Sequence, residues 1–579
     1  MSIAVENKLP ASRTDWLRSP LVLLAGAFIL VLIFLGLPLK APIGPMYWDS
    51  YLYYDAANRI AGGQVPIVDF FAPVGPLGYY IFAGWLAVFP DAQTSLITHW
   101  ALLILTAPLM ALIVAHVDRR SRADAWALLI PFLVFALLPF NSQEFYPFPS
   151  SDAFGIYNRQ VCQMLYVLVA ALLYVRNQRL LAFLVAACVT ALFFLKITGF
   201  IAAGLICLFA LVTGRITLRY AITAALAFAA VLAALELKDG MVSAYIADIE
   251  ALVATNSGTL APRLVQSISI NVGVIASSLA LCAVMAFASV ADLGRRFDAL
   301  RRAPGTATVA ALLDRDFLWL GVAVCAGIFF EAQNTGSQAF IFLWPVLWMM
   351  LVRLPRMLGR PKLAMLAAAL VAAVWLPLFA GTIERAIRTY GSMTNGVDVE
   401  THNLKALGSF TTRDNVLHRA ELMLQLYPRQ QQQLAEIAEG KELPSSLLYS
   451  DLDFQVTNLL AIDRGVDSIR ALEAKSGVHF GTIMTLAFAN PFPYLMDRSA
   501  PRLIAIGADP FRAVPEPDAE VLKEVAGTDL ALYPRCPGTW ANVRLLEIYG
   551  PGLKDHRRIA LDDCWDAFVN PRFAGKLGG

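Results

Sequence analysis

Long apolar runs recur through the first two thirds of the chain, separated by short polar segments. As α-helices, such runs can cross about 30 Å of hydrocarbon. The pattern therefore predicts eleven membrane-spanning helices. We place them near residues 20–39, 94–117, 124–140, 156–175, 180–196, 197–214, 218–237, 271–291, 317–332, 337–352 and 363–381. A shorter apolar run at 77–89 is predicted to form an interfacial helix.

The distribution of Lys and Arg sets the orientation of these spans. If the N-terminus is cytoplasmic, the inside segments carry 19 of these residues and the outside segments six. The first run is too long for the core of a signal peptide, so we interpret it as an uncleaved span. An odd number of spans places residues 382–579 outside. We expect a multi-pass protein of the bacterial inner membrane, with its N-terminus in the cytoplasm and residues 382–579 in the periplasm.

Residues 382–579 follow a different pattern from the membrane domain, residues 1–381. Amphipathic helices are predicted at 413–427 and 430–439, and short apolar runs bounded by turns are typical of strands. These runs lie at 447–450, 482–488, 503–506, 530–533 and 544–549. The two prolines at 490–493 predict a turn or extended segment. The C-terminal domain is therefore expected to be a soluble α/β domain.

The composition agrees with this division into two parts. The hydrophobic fraction is 58%, against roughly 45–50% in soluble chains. The first 381 residues hold 44 charged residues and the last 198 hold 46, so the charges are concentrated in the C-terminal domain. A net charge of +2 gives no reason to expect a nucleic-acid partner.

Two of the seven cysteines, Cys536 and Cys564, lie in the C-terminal domain. The others lie in apolar runs and are expected to be small core residues. None is in a C-x-x-C pattern, which argues against a zinc or redox site. A single pair in an exported domain is compatible with a disulfide.

Candidate chemistry concentrates in the long outer loop, residues 40–93. Asp49 stands beside Trp48 and close to Tyr53 and Tyr54. One interpretation is that Asp49 or the next residue is the N-cap of a short helix that ends at Gly62. The alternative is functional, because a carboxylate near the outer membrane surface can take a proton from an acceptor hydroxyl. The aromatic faces beside it can stack on sugar rings.

Two further carboxylates follow in the same loop. Asp55 is six residues beyond Asp49 on the predicted helix, and we expect it on a solvated face. Asp69 precedes Pro73 and Pro76, where it is either a turn residue or part of the site.

The loop as a whole resembles a known family. Its string D-x-x-x-Y-x-A-x-x-x-x-x-G-x-x-P-x-x-D-x-x-x-P-x-G-P-L-x-Y-Y is similar to the first outer loop of GT-C superfamily glycosyltransferases that use lipid-linked sugars, in the protein O-mannosyltransferase and aminoarabinose-transferase branch. The residues that carry the resemblance are Asp49, Tyr53 or Tyr54, Ala57, Gly62, Pro66, Asp69, Pro73, Pro76, Leu77 and Tyr80. Usable motifs cover about residues 40–215.

The resemblance implies transfer of a sugar, with inversion, from a polyprenyl-phosphate donor to an acceptor outside the membrane. The acceptor would be an envelope glycan, lipid or protein. Asp49 matches the family's first-loop base, and Asp69 is a second catalytic candidate. Trp48, Tyr53 and Tyr54 are candidate substrate contacts.

Two cations at the outer ends of predicted spans become candidates for binding the donor phosphate. They are Lys196, in a Lys-Ile-Thr-Gly sequence, and Arg159. The alternative for both is a long side chain that reaches to the membrane interface. The chain has Asn158-Arg159-Gln160 where the family often has an acidic residue. We therefore expect no cofactor, because the residues do not support a divalent metal.

Two other functions fit parts of the pattern. A transporter or flippase of lipid-linked saccharides would carry polar residues near the middle of the membrane and paired broken helices. The charges here are mostly interfacial, and no internal repeat is visible. A non-catalytic membrane anchor for an assembly domain would leave the aromatic loop around Asp49 without a role.

The predicted orientation can be tested at the C-terminus. A phosphatase fused after Gly579 should be active, because the charge bias places this end in the periplasm. A reporter that works only in the cytoplasm should be silent at the same position. The reverse pattern would rule out eleven spans with a cytoplasmic N-terminus.

Overall fold

A computed structural model describes most of the chain. The described residues are 19–140, 150–151, 153–333, 340–357, 360–441 and 451–576. Two predicted features lie wholly or partly outside them: the short run at 447–450, and the start of the predicted span at 337–352.

Within the described residues, all eleven predicted spans overlap with helices, and the predicted interfacial run forms a helix of its own. The second predicted span consists of two helices at an angle of 43°. The helices of this part are α1 (Pro20–Leu35), α2 (Asp49–Ala61), α3 (Leu77–Val88), α4 (Thr94–Trp100), α5 (Leu103–Asp118), α6 (Arg122–Leu137), α7 (Ile156–Tyr174), α8 (Gln178–Leu195), α9 (Ile197–Val212), α10 (Leu218–Asp239), α11 (Met241–Asn256), α12 (Leu260–Ile270), α13 (Val272–Ala288), α14 (Val290–Arg302), α15 (Thr306–Leu313), α16 (Asp316–Ala332), α17 (Trp344–Arg353) and α18 (Pro361–Ser392).

Length and composition alone qualify fewer helices as membrane spans. Within the described ranges, four are long and apolar enough to cross, or up to six if each of two bent pairs is one span. Exposed apolar side chains also indicate that helices of this part lie in a membrane. On α10, Leu226 is 66% exposed and Leu237 is 89% exposed. A surface of this kind is stable against lipid, not water. The number of crossings stays a prediction.

The C-terminal part contains a four-stranded sheet with helices around it. The strands are β4 (Ile483–Thr485), β5 (Leu530–Pro534), β6 (Arg557–Ala560) and β7 (Trp565–Val569), in the order β4-β5-β7-β6. β4 and β5 are parallel, whereas β5 and β6 pair antiparallel with β7. The helices are α19 (Asp414–Arg429), α20 (Gln431–Glu439), α21 (Leu452–Ser476), α22 (Phe492–Met496), α23 (Ala519–Gly527) and α24 (Trp540–Leu553).

Three expectations for this part were wrong. The apolar run at 544–549 lies within α24, which begins at a capping box formed by Thr539 and Asn542. The run at 503–506 is a loop that bonds to the first outer loop: the Leu503 N–H donates to the Asp69 carbonyl at 2.6 Å. The segment 490–493 leads into α22, because prolines are tolerated in the first turn of a helix.

A small second sheet links the two parts of the chain. Its strands are β1 (Ala41–Pro42), β2 (Gly396–Asp398) and β3 (Phe410–Arg413), in the order β1-β3-β2. β1 belongs to the first outer loop and pairs in parallel with β3. The predicted boundary at residue 381 lies inside α18, which continues to Ser392. The outer loop and the C-terminal part therefore pack as one body.

The structure contains the disulfide that the sequence allowed. Cys536 and Cys564 are bonded, with their Cα atoms 4.9 Å apart. The bond ties the segment after β5 to the start of β7.

Loss of this crosslink should destabilise the C-terminal part. A loop closed across 28 residues of sequence stabilises by about 3 kcal/mol in the chain-entropy model. The Cys536→Ala/Cys564→Ala variant should therefore unfold at a lower temperature. Intact-mass analysis of the wild type after alkylation without reductant should show both thiols blocked. Free labelling of both in the folded protein would contradict the bond.

Candidate functional site

A cavity of about 430 Å³ opens where the first outer loop, the ends of α7 and α8, the helix α11 and the C-terminal part meet. Four residues singled out from the sequence line it: Trp48, Asp49, Tyr53 and Lys196. They come from two segments about 150 residues apart in the chain, so the fold brings them together.

Asp49 lies between the N-termini of two helices. It is the first residue of α2, whose N-cap is Trp48, so Asp49 is not the N-cap. Its Oδ2 accepts a hydrogen bond of 3.1 Å from the backbone N–H of Gly155. Gly155 is the N-cap of α7 and has a left-handed φ of 57°. Both helix dipoles present their positive ends here, which stabilises the negative charge of the carboxylate.

Lys196 stands at the break between α8 and α9, in an extended conformation with φ −165° and ψ 128°. Its Nζ donates to Asn158 Oδ1 at 2.8 Å. The ammonium is also 5.1 Å from the ring centroid of Tyr157 and 5.5 Å from that of Phe330. The break thus places a half-buried cation at the cavity wall, between aromatic faces that stabilise its charge.

A close backbone approach fixes the first loop against this break. The N–H of Gly75 donates to the Leu195 carbonyl at 3.1 Å. A Cβ on Gly75 would lie 2.2 Å from the Phe194 carbonyl oxygen, so any larger residue would force the loop away. Pro73 and Val74, just before it, line the cavity.

The C-terminal part closes the other side of the cavity. The Trp48 ring lies 4.8 Å from that of Phe488 and 5.5 Å from that of Phe454, measured between centroids. The backbone N–H of Trp48 donates to Gln455 Oε1 at 3.1 Å. Trp48 is 6% exposed, so it both lines the cavity and joins the loop to α21.

A group of hydrogen-bonded polar residues at the rim of the cavity was not predicted from the sequence. Arg512 Nε donates to Asp509 Oδ2 at 2.8 Å. The Arg512 carbonyl accepts from Asn256 Nδ2 at 2.9 Å, and Asn256 Oδ1 accepts from Arg263 at 3.1 Å. All four residues line the cavity. Their partners come from separate loops, and no motif in the sequence connects them.

Among the described residues, two carboxylates line the cavity, those of Asp49 and Asp509. Tyr53 and Tyr79 stay protonated, because burial raises the pKa of both phenols well above 10 and the charge of Asp49 adds to the shift. Asp509 is held by Arg512 and also accepts from the Phe511 N–H. Asp248, on α11 beside the lining residues, has its pKa raised to about 7 by burial.

The described part of the chain has no group of three His, Cys, Asp or Glu that could hold a metal.

Three other candidates do not line the cavity. Asp69 pairs with Arg502 and accepts from the Val65 N–H at 2.7 Å. Tyr54 is buried, with its hydroxyl 3.0 Å from Thr94 Oγ1. These contacts fasten the loop to its surroundings.

Arg159, the third candidate outside the cavity, is 1% exposed, so its side chain does not extend to the membrane interface. It donates to the carbonyls of Phe135, Leu138 and Phe140. It therefore satisfies backbone carbonyls at the C-terminal end of α6.

The expectation for Asp55 was wrong. It is 2% exposed and forms an ion pair of 2.9 Å with Arg59, one turn along α2. Arg59 also donates to the Pro501 carbonyl at 2.7 Å. Burial of an ion pair requires such further hydrogen bonds, and here they attach α2 to the C-terminal part.

No protein-family model and no curated protein sequence matches the chain. Two solved structures are similar to it, both of ArnT from Cupriavidus metallidurans, one in the apo state and one bound to undecaprenyl phosphate. They are 14% and 12% identical, with TM-scores of 0.38 and 0.40, and each alignment covers 98% of this chain and 100% of the other. ArnT is an aminoarabinose transferase of the GT-C family. A TM-score this low does not define a shared fold.

Replacing Gly75 should disturb the cavity. Gly75→Ala should displace the loop from α8, because its Cβ has no space beside the Phe194 carbonyl. Overpacking of this kind costs about 1–3 kcal/mol, so the unfolding temperature should fall. The control is Gly84→Ala on α3, where a Cβ meets nothing within 4 Å. Equal unfolding temperatures for the two variants would contradict the close approach.

Proposed function

We propose that this protein is a membrane glycosyltransferase that moves a sugar from a polyprenyl-phosphate donor to an acceptor at the outer face of the membrane. The observation that carries the proposal is the meeting of Asp49 and Lys196 in one cavity. A base and a cation in the same cavity are what this reaction needs, because a proton leaves the acceptor while a phosphate leaves the sugar.

The reaction follows from these two groups. An acceptor hydroxyl attacks the anomeric carbon of the donor sugar, and Asp49 takes the hydroxyl proton. The bond from the anomeric carbon to the phosphate oxygen breaks, and polyprenyl phosphate leaves with the bonding electron pair. Lys196 stabilises the negative charge that develops on the leaving phosphate. Attack opposite to the leaving group inverts the anomeric centre.

The cavity wall is suited to both ends of such a donor. Ile197, Ile249, Leu252 and Val253 give an apolar surface for the isoprenoid chain. On the side of the first loop, the rings of Trp48, Tyr53, Tyr79 and Tyr157 can stack on a sugar. The acceptor would approach from the side of the C-terminal part, which contributes Phe488 and Arg512. An envelope glycan, lipid or protein would fit this position.

Asp49→Asn tests the base. The substitution keeps the size of the side chain and an oxygen that can accept from Gly155. The variant should fold and bind donor lipid, yet lose transfer by about 10²–10⁴-fold, the usual contribution of a general base. The measurement is transfer from a labelled polyprenyl-phosphate sugar by purified protein. Asp91→Asn, at an exposed position of the same loop, is the control.

Lys196→Ala tests the phosphate contact in the same assay. It should weaken donor binding, whereas Lys238→Ala, at a side chain that is 73% exposed, should not. Near-normal transfer by Asp49→Asn would remove the central assignment. If the wild type binds the donor lipid and no acceptor class supports transfer, a binding or transport role would replace the enzymatic one.

A further inference from the structure

A second cavity, of about 420 Å³, lies at the opposite ends of the same helices. Ile156 at the start of α7 lines the first cavity, and Tyr174 at its end lines the second. Eighteen helical steps of 1.5 Å separate them by about 27 Å. This is close to the ~30 Å thickness of the hydrocarbon, so the two cavities lie at opposite membrane surfaces. The excess of Lys and Arg in the predicted inside loops places the second cavity at the cytoplasmic face.

Four arginines from four different helix ends converge on this second cavity. Arg120 follows α5, Arg176 follows α7, Arg215 follows α9, and Arg353 ends α17. Each comes from a separate turn, so the convergence is a property of the packed bundle and not of one basic segment.

Two of these arginines already have carboxylate partners. Arg215 pairs with Asp314 at 2.9 Å, and Arg353 pairs with Asp316. Arg120 donates to the Tyr174 carbonyl at 2.9 Å. Neither Arg120 nor Arg176 forms an ion pair with any residue that the structure describes. The wall also includes the carboxylate of Asp124, which accepts a hydrogen bond of 2.9 Å from Trp348 Nε1. Against the four guanidinium groups, Asp124, Asp314 and Asp316 supply three negative charges, so a net positive charge remains at the cavity.

The preference of basic residues for cytoplasmic loops does not explain this arrangement. Arg119 and Arg179 lie on the same turns and satisfy the same preference, yet they do not line the cavity. In each of these two turns, only one of the two arginines lines the cavity, namely Arg120 and Arg176. Its wall also includes Val117, Leu172 and Met349, an apolar surface beside the charges.

We propose that this cavity binds an anionic phosphate ester at the cytoplasmic face, through Arg120 and Arg176. Guanidinium groups bind phosphate oxygens with paired, charge-assisted hydrogen bonds. Basic pockets between membrane helices on this side are suited to anionic lipid headgroups, and the apolar wall would take the glycerol and the first acyl carbons. A soluble phosphate ester offers the same headgroup chemistry without that wall contact. The site is separate from the proposed transfer reaction and does not depend on it.

The test uses the full chain purified in detergent. Native mass spectrometry measures the affinity for phosphatidylglycerol, with net-neutral phosphatidylcholine as the comparison. Calorimetry measures the affinity for glycerol 3-phosphate. The Arg120→Gln/Arg176→Gln variant should lose about tenfold or more in affinity for the preferred anion, because a hydrogen bond to a charged group contributes at least that factor. The matched control, Arg119→Gln/Arg179→Gln, removes the same charge from the same turns and should change affinity little.

Preference for phosphatidylglycerol over glycerol 3-phosphate identifies a lipid site, and the reverse identifies a soluble ligand. An equal loss in the two variants would overturn the proposal, because it would show diffuse attraction to a basic surface. So would equal binding of phosphatidylcholine and phosphatidylglycerol in the absence of glycerol 3-phosphate binding. If the double variant does not fold, Arg176→Gln is compared with Arg179→Gln. No bond of the Arg176 side chain is found within the described residues, so its loss leaves no internal partner unsatisfied.

Discussion

The outer site depends on one close approach, between the backbone of Gly75 and the last carbonyls of α8. A helix end leaves carbonyls without partners inside the helix, and here the Gly75 N–H satisfies that of Leu195. Only glycine fits, since a Cβ would meet the Phe194 carbonyl. This contact holds the first loop beside the break that carries Lys196. It therefore sets where the cavity lies and which residues line it.

The C-terminal part holds the other side of the same loop. Three residues of α2 and the turn after it donate to carbonyls in 498–501: Asn58 to Arg498, Arg59 to Pro501, and Gln64 to Ala500. The pair Asp69–Arg502 extends this row. Asp69, a catalytic candidate from the sequence, thus forms part of the attachment between two parts of the chain. We infer that the C-terminal part shapes the site directly and is not a separate appendage.

The two cavities use the ends of α7 in opposite ways. At its N-terminus the free N–H groups and the positive end of the dipole favour a carboxylate, and Asp49 lies there. At its C-terminus the carbonyls favour cations: Arg120 donates to the Tyr174 carbonyl, and Arg215 reaches that of Leu173 at 3.4 Å. The distribution of charge between the two cavities therefore follows the direction of the helix.

The sequence by itself determined the positions of the eleven apolar helices and the candidates in the first loop. Apolar runs located all eleven predicted spans on helices, because helix formation and lipid exposure depend on local composition. It also marked Asp49, Lys196, Trp48 and Tyr53, which do meet. The tertiary structure decided the rest. Asp69 pairs with Arg502, which is 433 residues away in the sequence, and Arg159 donates to backbone carbonyls. No residue pattern reveals either contact. The rim formed by Asp509, Arg512 and Asn256, and the convergence of four arginines, likewise arise only from packing between distant segments, which local periodicity does not encode.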